Sequence, residues 1–146
     1  MKIKTLVAVL LLSGGVTSTF AQSDCNANSS ISHEAVRAKN YKDAYAPCMA
    51  VLKDFPTLRY YTYTDAQKIL VGLMSQIKDR NSAEYKKLFD ELMTVHDQKM
   101  KYIPEFATKM KGVPSVASAL GTKAVDYLQY APAPDVNQAY AWLKET

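Results

Sequence analysis

The sequence has little of what enzymes commonly use at their active sites. Its 146 residues include two His, two Cys and five Gly. Gly72, Gly112 and Gly121 are isolated, which excludes a Gly-rich phosphate loop, and no Cys-x-x-Cys or Gly-x-Ser-x-Gly stretch occurs. His33-Glu34 is not followed by a second His one turn later, so the zinc-protease motif is absent. We therefore predict a non-enzyme with no catalytic residue, no metal site and no cofactor.

The sequence also lacks the run of about 20 apolar residues that a membrane-spanning helix requires. Its first apolar stretch, residues 5–12, is short and follows Lys2 and Lys4, and small residues stand at both ends of the segment 19–21. A positive start, a short apolar stretch and small residues before the cut are typical of a secretory signal. We predict a signal peptide over residues 1–21, no transmembrane anchor in the mature chain, and a periplasmic or secreted protein.

An excess of positive charge is also missing once the signal is removed. The chain has 18 Lys and Arg against 14 Asp and Glu; without Lys2 and Lys4, 16 − 14 leaves +2 over residues 22–146. Nucleic-acid binders carry a concentrated basic stripe. We therefore expect no nucleic-acid partner.

Cysteine is scarce, and the two cysteines suit an oxidising compartment. Cys25 and Cys48 are separated by 22 residues, and an exported protein can keep such a pair as a disulfide. The alternative is a buried free thiol at Cys48 and an exposed one at Cys25. The sequence leaves both open.

Apolar residues recur at helical spacing along most of the mature chain, with almost no strand signal, which predicts an all-α fold. The pattern forms three hairpins, at about 29–56, 62–100 and 115–146. Residues 22–30 are polar and expected to be irregular. Residues 57–64 have a strand-like composition of Tyr and Thr, although the signal is weak.

Two connecting segments and two helix faces complete this prediction. Residues 101–114 contain two Pro and a Gly, so they form either a loop or a short helix from Pro104 to Gly112. The expected inner face of the first helix is Ile31, Ala35 and Ala38. That of the helix after residue 114 is Val116, Ala117, Leu120, Ala124, Tyr127 and Leu128.

Two segments share a pattern of a polar residue, an apolar residue, two polar residues, Ala and Tyr. The first lies within residues 39–56, and the second begins at Asp135 and includes Ala139 and Tyr140. The first segment resembles the second helix of a tetratricopeptide repeat. The matching residues are Asn40, Tyr41, Ala44, Leu52 and Pro56, whereas Val51 and Cys48 stand where that family usually has Ala and a large aromatic residue.

The chain as a whole looks like the N-terminal part of an exported tetratricopeptide-type protein of a Gram-negative bacterium. The resemblance is good over residues 39–56, moderate over 120–143 and poor over 57–114. It implies stacked antiparallel helical hairpins that form an α-solenoid, each hairpin covering its neighbour's apolar face. It further implies a non-catalytic scaffold that binds a protein or peptide.

The ten Tyr and one Trp divide into expected core and expected surface. Tyr41, Tyr45, Tyr85 and Tyr127 fall on apolar stripes. Tyr60, Tyr61, Tyr63 and Trp142 form a candidate partner surface. If they line one concavity, the alternative function is a helical carbohydrate- or nutrient-binding module.

Two further surfaces are candidates for contacts. Lys99, Lys101, Lys109 and Lys111 flank Tyr102 and Phe106, and would suit an acidic partner unless they only form a solvated face. The last stripe contains Ala139, Trp142 and Leu143 and has no helix after it. We expect it to meet further repeats or to mediate self-association.

Overall fold

The computed structural model describes residues 16–144, with side chains from residue 24 onward. Most of the predicted signal peptide, residues 1–15, therefore lies outside the described residues. Over the described part the chain forms helices and no strand, which confirms the all-α prediction and corrects the strand-like interpretation of residues 57–64. The helices are α1 Val16–Arg37, α2 Tyr41–Asp54, α3 Tyr61–Met74, α4 Ala83–Lys109, α5 Val116–Tyr130 and α6 Val136–Lys144.

Each helix packs against the next one along the chain, and α1 also contacts α3. The main core lies where α2, α3 and α4 meet. Its fully buried aliphatic side chains include Ile69, Leu70 and Leu92. Burial of each such side chain stabilises the fold by about 1.5–3 kcal/mol relative to exposure.

Helix α1 contradicts the expectation that residues 22–30 are irregular, because it continues through all of them. Its buried face is also not the predicted one, since Ile31 is 57% exposed and Ala38 is exposed. The buried stripe instead consists of small and polar side chains at helical spacing. Its members are Cys25, Ser29, Ser32 and Val36. Because Ser is not apolar, the hydrophobic pattern of the sequence does not reveal this buried face.

The turn between α1 and α2 is closed by backbone bonds of a helix C-terminal motif. The amides of Lys39 and Asn40 donate to the carbonyls of Val36 and Ala35, at 2.9 and 2.8 Å. Lys39 has φ 56°, in the left-handed region that favours glycine. Asn40 then caps α2, its side chain accepting from the Asp43 amide at 3.4 Å.

Helix α4 continues through Pro104, so residues 101–109 form neither a loop nor a separate short helix. Proline inside a helix removes one backbone bond, which costs about 3 kcal/mol or more in an isolated helix. Ile103 and Phe106 flank Pro104 and are buried. Their packing holds this turn in the helix. The left-handed turn that follows is formed at Gly112, with φ 81°.

Helices α5 and α6 pack on each other, and the buried face of α5 matches the predicted one only in part, since Ala124 is buried as expected. Val116 and Leu128 are exposed, at 42% and 40%, while Lys123 and Asp126 are buried. On α6, Ala139 is buried, and the Trp142 ring lies 5.0 Å from the Tyr127 ring. The side of α6 that was expected to need a further helix is therefore partly covered by α5.

Candidate functional site

A groove of about 370 Å³ lies between the α2–α3 connection and the C-terminal end of α4, and we call it the Tyr60 groove. It brings together two sets of residues that the sequence predicted separately. Tyr60 and Tyr61 come from the aromatic surface, and Phe106 and Lys109 come from the basic patch. The other lining residues are Thr57, Leu58, Arg59 and Met110.

The local sequence fixes the connection that forms one wall of this groove. Helix α2 ends before Pro56, whose carbonyl accepts a hydrogen bond from the Tyr63 hydroxyl at 2.9 Å. Tight i to i+3 bonds then start α3, from Thr62 to the Arg59 carbonyl at 3.2 Å and from Tyr63 to the Tyr60 carbonyl at 3.1 Å. Tyr63 is fully buried. It therefore anchors the connection and does not belong to a partner surface, contrary to the prediction.

The opposite wall is formed by α4. The ring of Phe106 contacts Tyr60 edge to face, with ring centroids 5.4 Å apart. Met110 is 45% exposed at the end of the helix. Lys109 donates to Glu105 at 2.5 Å, and this hydrogen bond lowers the pKa of the Glu105 carboxyl. The charge of Lys109 is therefore partly neutralised by its own helix.

Arg59 is the charged residue of the groove that the sequence analysis missed. Its guanidinium donates to the Tyr61 hydroxyl at 2.5 Å, to Ser29 Oγ at 3.4 Å and to Asn26 Oδ1 at 3.4 Å. All three acceptors are neutral, and Ser29 is fully buried. Only the buried serine face of α1 would have indicated this contact, and that face was not recognised.

His33 lies beside the groove and contacts two residues of α3. Its Nδ1 is 2.7 Å from Asp65 Oδ2, and its ring centroid is 4.6 Å from that of Tyr61. Asp65 is 3% exposed. Because the two residues belong to α1 and α3, this pair joins neighbouring hairpins.

A second polar cluster joins α3, α4 and α5. Asp126 Oδ2 is 2.7 Å from His96 Nε2 and accepts from Gln67 Nε2 at 2.7 Å. His96 is 1% exposed, and its Nδ1 has no hydrogen-bond partner among the described residues. Lys99, predicted to be part of the basic patch, is buried near this cluster, and burial lowers the pKa of its amine.

The other residues of the predicted surfaces lie apart. Trp142 packs under Lys123, whose Nζ is 4.5 Å from the ring centroid, and Lys123 also donates to Asp97 at 2.6 Å. Lys101 lies over the ring of Tyr102, outside the groove lining. Lys111 is exposed. The four aromatic residues Tyr60, Tyr61, Tyr63 and Trp142 therefore do not line one concavity.

The residues matched to the repeat motif differ in how far they are buried. Ala44, Leu52 and Ala139 are buried. Tyr41 packs against the core and against Gly72 of α3. Tyr140 differs from the expectation, since it is 58% exposed and lies near Lys144, 5.0 Å from ring centroid to Nζ. Its position in the motif did not ensure burial.

The two cysteines are free thiols in the structure, and no disulfide joins them. Both are buried, whereas the alternative of two free thiols had Cys25 exposed. Cys48 donates weakly to the Thr62 carbonyl, with Sγ and O 3.6 Å apart. Burial raises the pKa of the Cys48 thiol to about 12, which disfavours the reactive thiolate.

A larger cavity of about 540 Å³ lies among α2, α3 and α4 and is lined by Leu73, Ile77 and Leu88 with Lys42 and Lys87. Between residues 16 and 144, His, Cys, Asp and Glu form no group of three that could hold a metal ion. No helix in that part of the chain combines the length and apolar character needed to cross a membrane.

Comparison of the chain with protein-family models, with curated proteins and with solved structures gives no match.

Proposed function

We propose that this protein is an exported, non-catalytic scaffold for protein–protein interaction, built from tetratricopeptide-like helical hairpins. The Tyr60 groove is the surface that holds a segment of a protein partner. The observation that supports this most directly is the composition of the groove. Exposed Met110 and half-buried Tyr60 and Tyr61 surround Arg59, and these residue types are enriched at protein interfaces.

The helix arrangement is consistent with a stack of repeats. Successive helices pack in chain order, and α1 contacts α3, as the first helices of neighbouring hairpins do in a solenoid. Asn40 and Ala44 occupy the cap and the close-contact position that the repeat motif requires. Solenoids of this kind present extended surfaces to partners and need no chemistry of their own.

The groove can be tested with short random peptides displayed on phage and selected against the purified mature chain. Enriched peptides are then synthesised, and their affinity is measured by fluorescence anisotropy. We expect Tyr60→Ala to weaken binding at least about tenfold, the effect of removing an anchoring aromatic residue. Met110→Asp should weaken binding similarly, because it places a charge on the apolar wall.

Val125→Asp is the matched control for Met110→Asp. Val125 is 59% exposed and does not line the groove, so binding should change less than about twofold, as expected away from the contact. Circular dichroism confirms that each variant folds. Failure to enrich any peptide, or affinities that Tyr60→Ala and Met110→Asp leave unchanged, would rule out the groove as the partner site.

Export is tested separately by expressing the full chain in a Gram-negative host and fractionating the cells. We expect periplasmic protein whose mass corresponds to loss of residues 1–21. Cleavage at this point would leave Gln22–Arg37 to form the remaining part of α1. A full-length product confined to the cytosol would contradict the proposed export.

A further inference from the structure

We propose that Arg59 is the specificity residue of the Tyr60 groove and that it binds the carboxylate of an Asp or Glu side chain in the partner segment. This inference rests on the proposed function, because it names the chemistry that the same groove selects.

The contacts of Arg59 hold the guanidinium in place without neutralising it. Its three acceptors, on Tyr61, Ser29 and Asn26, are all uncharged. The guanidinium has five N–H donors, so about two remain for a ligand. Ser29 is fully buried, and its hydroxyl lies 3.4 Å from the Tyr61 hydroxyl. Two of the acceptors of Arg59 are therefore held in place by each other and by the core.

Asp65 of α3 and Glu105 of α4 are each paired with a basic residue other than Arg59. Asp65 is 2.7 Å from His33 Nδ1, and Glu105 accepts from Lys109. Among the described residues Arg59 forms no ion pair. It is therefore a positioned cation with no carboxylate partner, in a groove where a bound anion would be partly shielded from water.

The start of α3 adds to the positive potential at this point. The helix begins at Tyr61, its cap residue Tyr60 makes no side-chain capping bond, and its first turn contains no acidic residue. No acidic residue of the first turn therefore offsets the positive end of the helix dipole. This field favours an anion near Arg59.

The apolar part of the groove decides which source of anion fits best. Tyr60, Phe106 and Met110 lie beside Arg59 and offer contact area to the side chains that flank an acidic residue in a peptide. A free inorganic anion would use none of this area. The arrangement therefore favours a carboxylate carried on a protein segment with an apolar or aromatic neighbour.

The test uses the peptides selected above, each made with an amidated C-terminus in an acidic form and in a form with Asn or Gln in place of Asp or Glu. We expect the amide form to bind wild-type protein about tenfold more weakly, the loss of a charge-assisted contact. In Arg59→Gln the two forms should bind alike. Lys101→Gln, an exposed position outside the groove lining, should keep the difference.

Arg59 also contacts buried Ser29, so Arg59→Gln can fail to fold. In that case the arginine Nε–H signal of wild-type Arg59 is followed by NMR, and it should shift with the acidic peptide but not with its amide form. Arg59→Lys keeps the charge and loses two donors, and should show a reduced preference for acid.

The outcomes separate this inference from the proposed function. Peptides that depend on Tyr60 but bind equally well as acid and amide would overturn the role of Arg59 and leave the scaffold standing. Peptides that bind only with a free C-terminal carboxylate would also overturn it. So would inorganic phosphate that competes for the groove as well as the acidic peptide does. Absence of any groove-dependent peptide would remove both proposals.

Discussion

The ring of Tyr41 in α2 occupies the place where a side chain at Gly72 of α3 would have to be. An ideal Cβ at Gly72 would lie 2.3 Å from Cδ2 of Tyr41, far inside van der Waals contact. The glycine therefore allows α2 and α3 to approach closely at this point. Because Gly72 has no side chain, the ring of Tyr41 packs directly on the backbone of α3.

Gly72→Ala should destabilise the protein. Overpacking costs about 1–3 kcal/mol, from which up to about 1 kcal/mol of improved helix propensity is subtracted. Gly121→Ala is the matched control, because nothing lies within 4 Å of an added Cβ in α5, and it should be neutral or stabilising. Urea unfolding measures both. In a background that carries Tyr41→Ala, the substitution Gly72→Ala should no longer lower the unfolding free energy. If it still does, the clash is not with Tyr41.

Asp126→Ala should be destabilising. Asp126 is 6% exposed, and its carboxylate is the partner of both His96 and Gln67. Removing this acceptor leaves the buried His96 without its partner, and an unsatisfied buried polar group costs about 1–3 kcal/mol. Asp90→Ala, at an exposed position on α4, should change stability by less than about 0.5 kcal/mol. If the two variants change the thermal unfolding of the protein equally, the hydrogen bonds of Asp126 contribute nothing to its stability.

Stability should fall at alkaline pH, in part through Tyr45. Burial, together with the hydrogen bond its hydroxyl donates to Glu91, raises the pKa of Tyr45 to about 12. The unfolded chain releases this proton near pH 10. The stabilising contribution is therefore complete below about pH 10 and is lost between about 10 and 12.

Tyr45→Phe should accordingly flatten the decline of unfolding free energy over that pH range. Tyr140→Phe removes a hydroxyl from an exposed ring and serves as the control. Denaturant unfolding at a series of alkaline pH values measures the slope. A slope that Tyr45→Phe leaves as steep as in the wild type would contradict the proposed linkage.

The thiols should react slowly in the folded protein. Cys48 is fully buried, and with its pKa raised to about 12 only about one thiol in ten thousand is ionised at pH 8. Ellman's reagent should therefore detect two thiols promptly in denaturant and neither promptly in buffer. Cys25→Ala and Cys48→Ala assign the two signals. The same assay is run in denaturant without reductant on protein isolated from the periplasm. If no thiol reacts there, the two cysteines form a disulfide.

The sequence predicted helices well where apolar residues form the buried stripe. Ile69 and Leu70 of α3 and Leu88 and Leu92 of α4 recur at helical spacing, and all four are buried. It was wrong for α1 and only partly right for α5, because the buried faces there also contain Ser29, Ser32, Lys123 and Asp126. These polar groups are buried with partners from other helices, and a pattern within one segment does not show those partners.

The candidate site divides in the same way. Tyr60, Tyr61, Phe106 and Lys109 were recognised as two separate candidate surfaces, since each set has a local signature. That they form one groove depends on how α3 and α4 pack. Arg59 and His33 were missed as members of the site, because the partners that tie them to another helix lie 30 to 33 positions away along the chain.

The sequence by itself determined the helical periodicity, the α2 cap at Asn40 and the end of that helix before Pro56, since these depend on local spacing and backbone chemistry. The tertiary structure decided the rest. Packing kept Pro104 inside a helix, because the buried side chains beside it offset the lost backbone bond. Packing likewise left Arg59 without a carboxylate partner among the described residues, because its guanidinium is directed to Tyr61, Ser29 and Asn26.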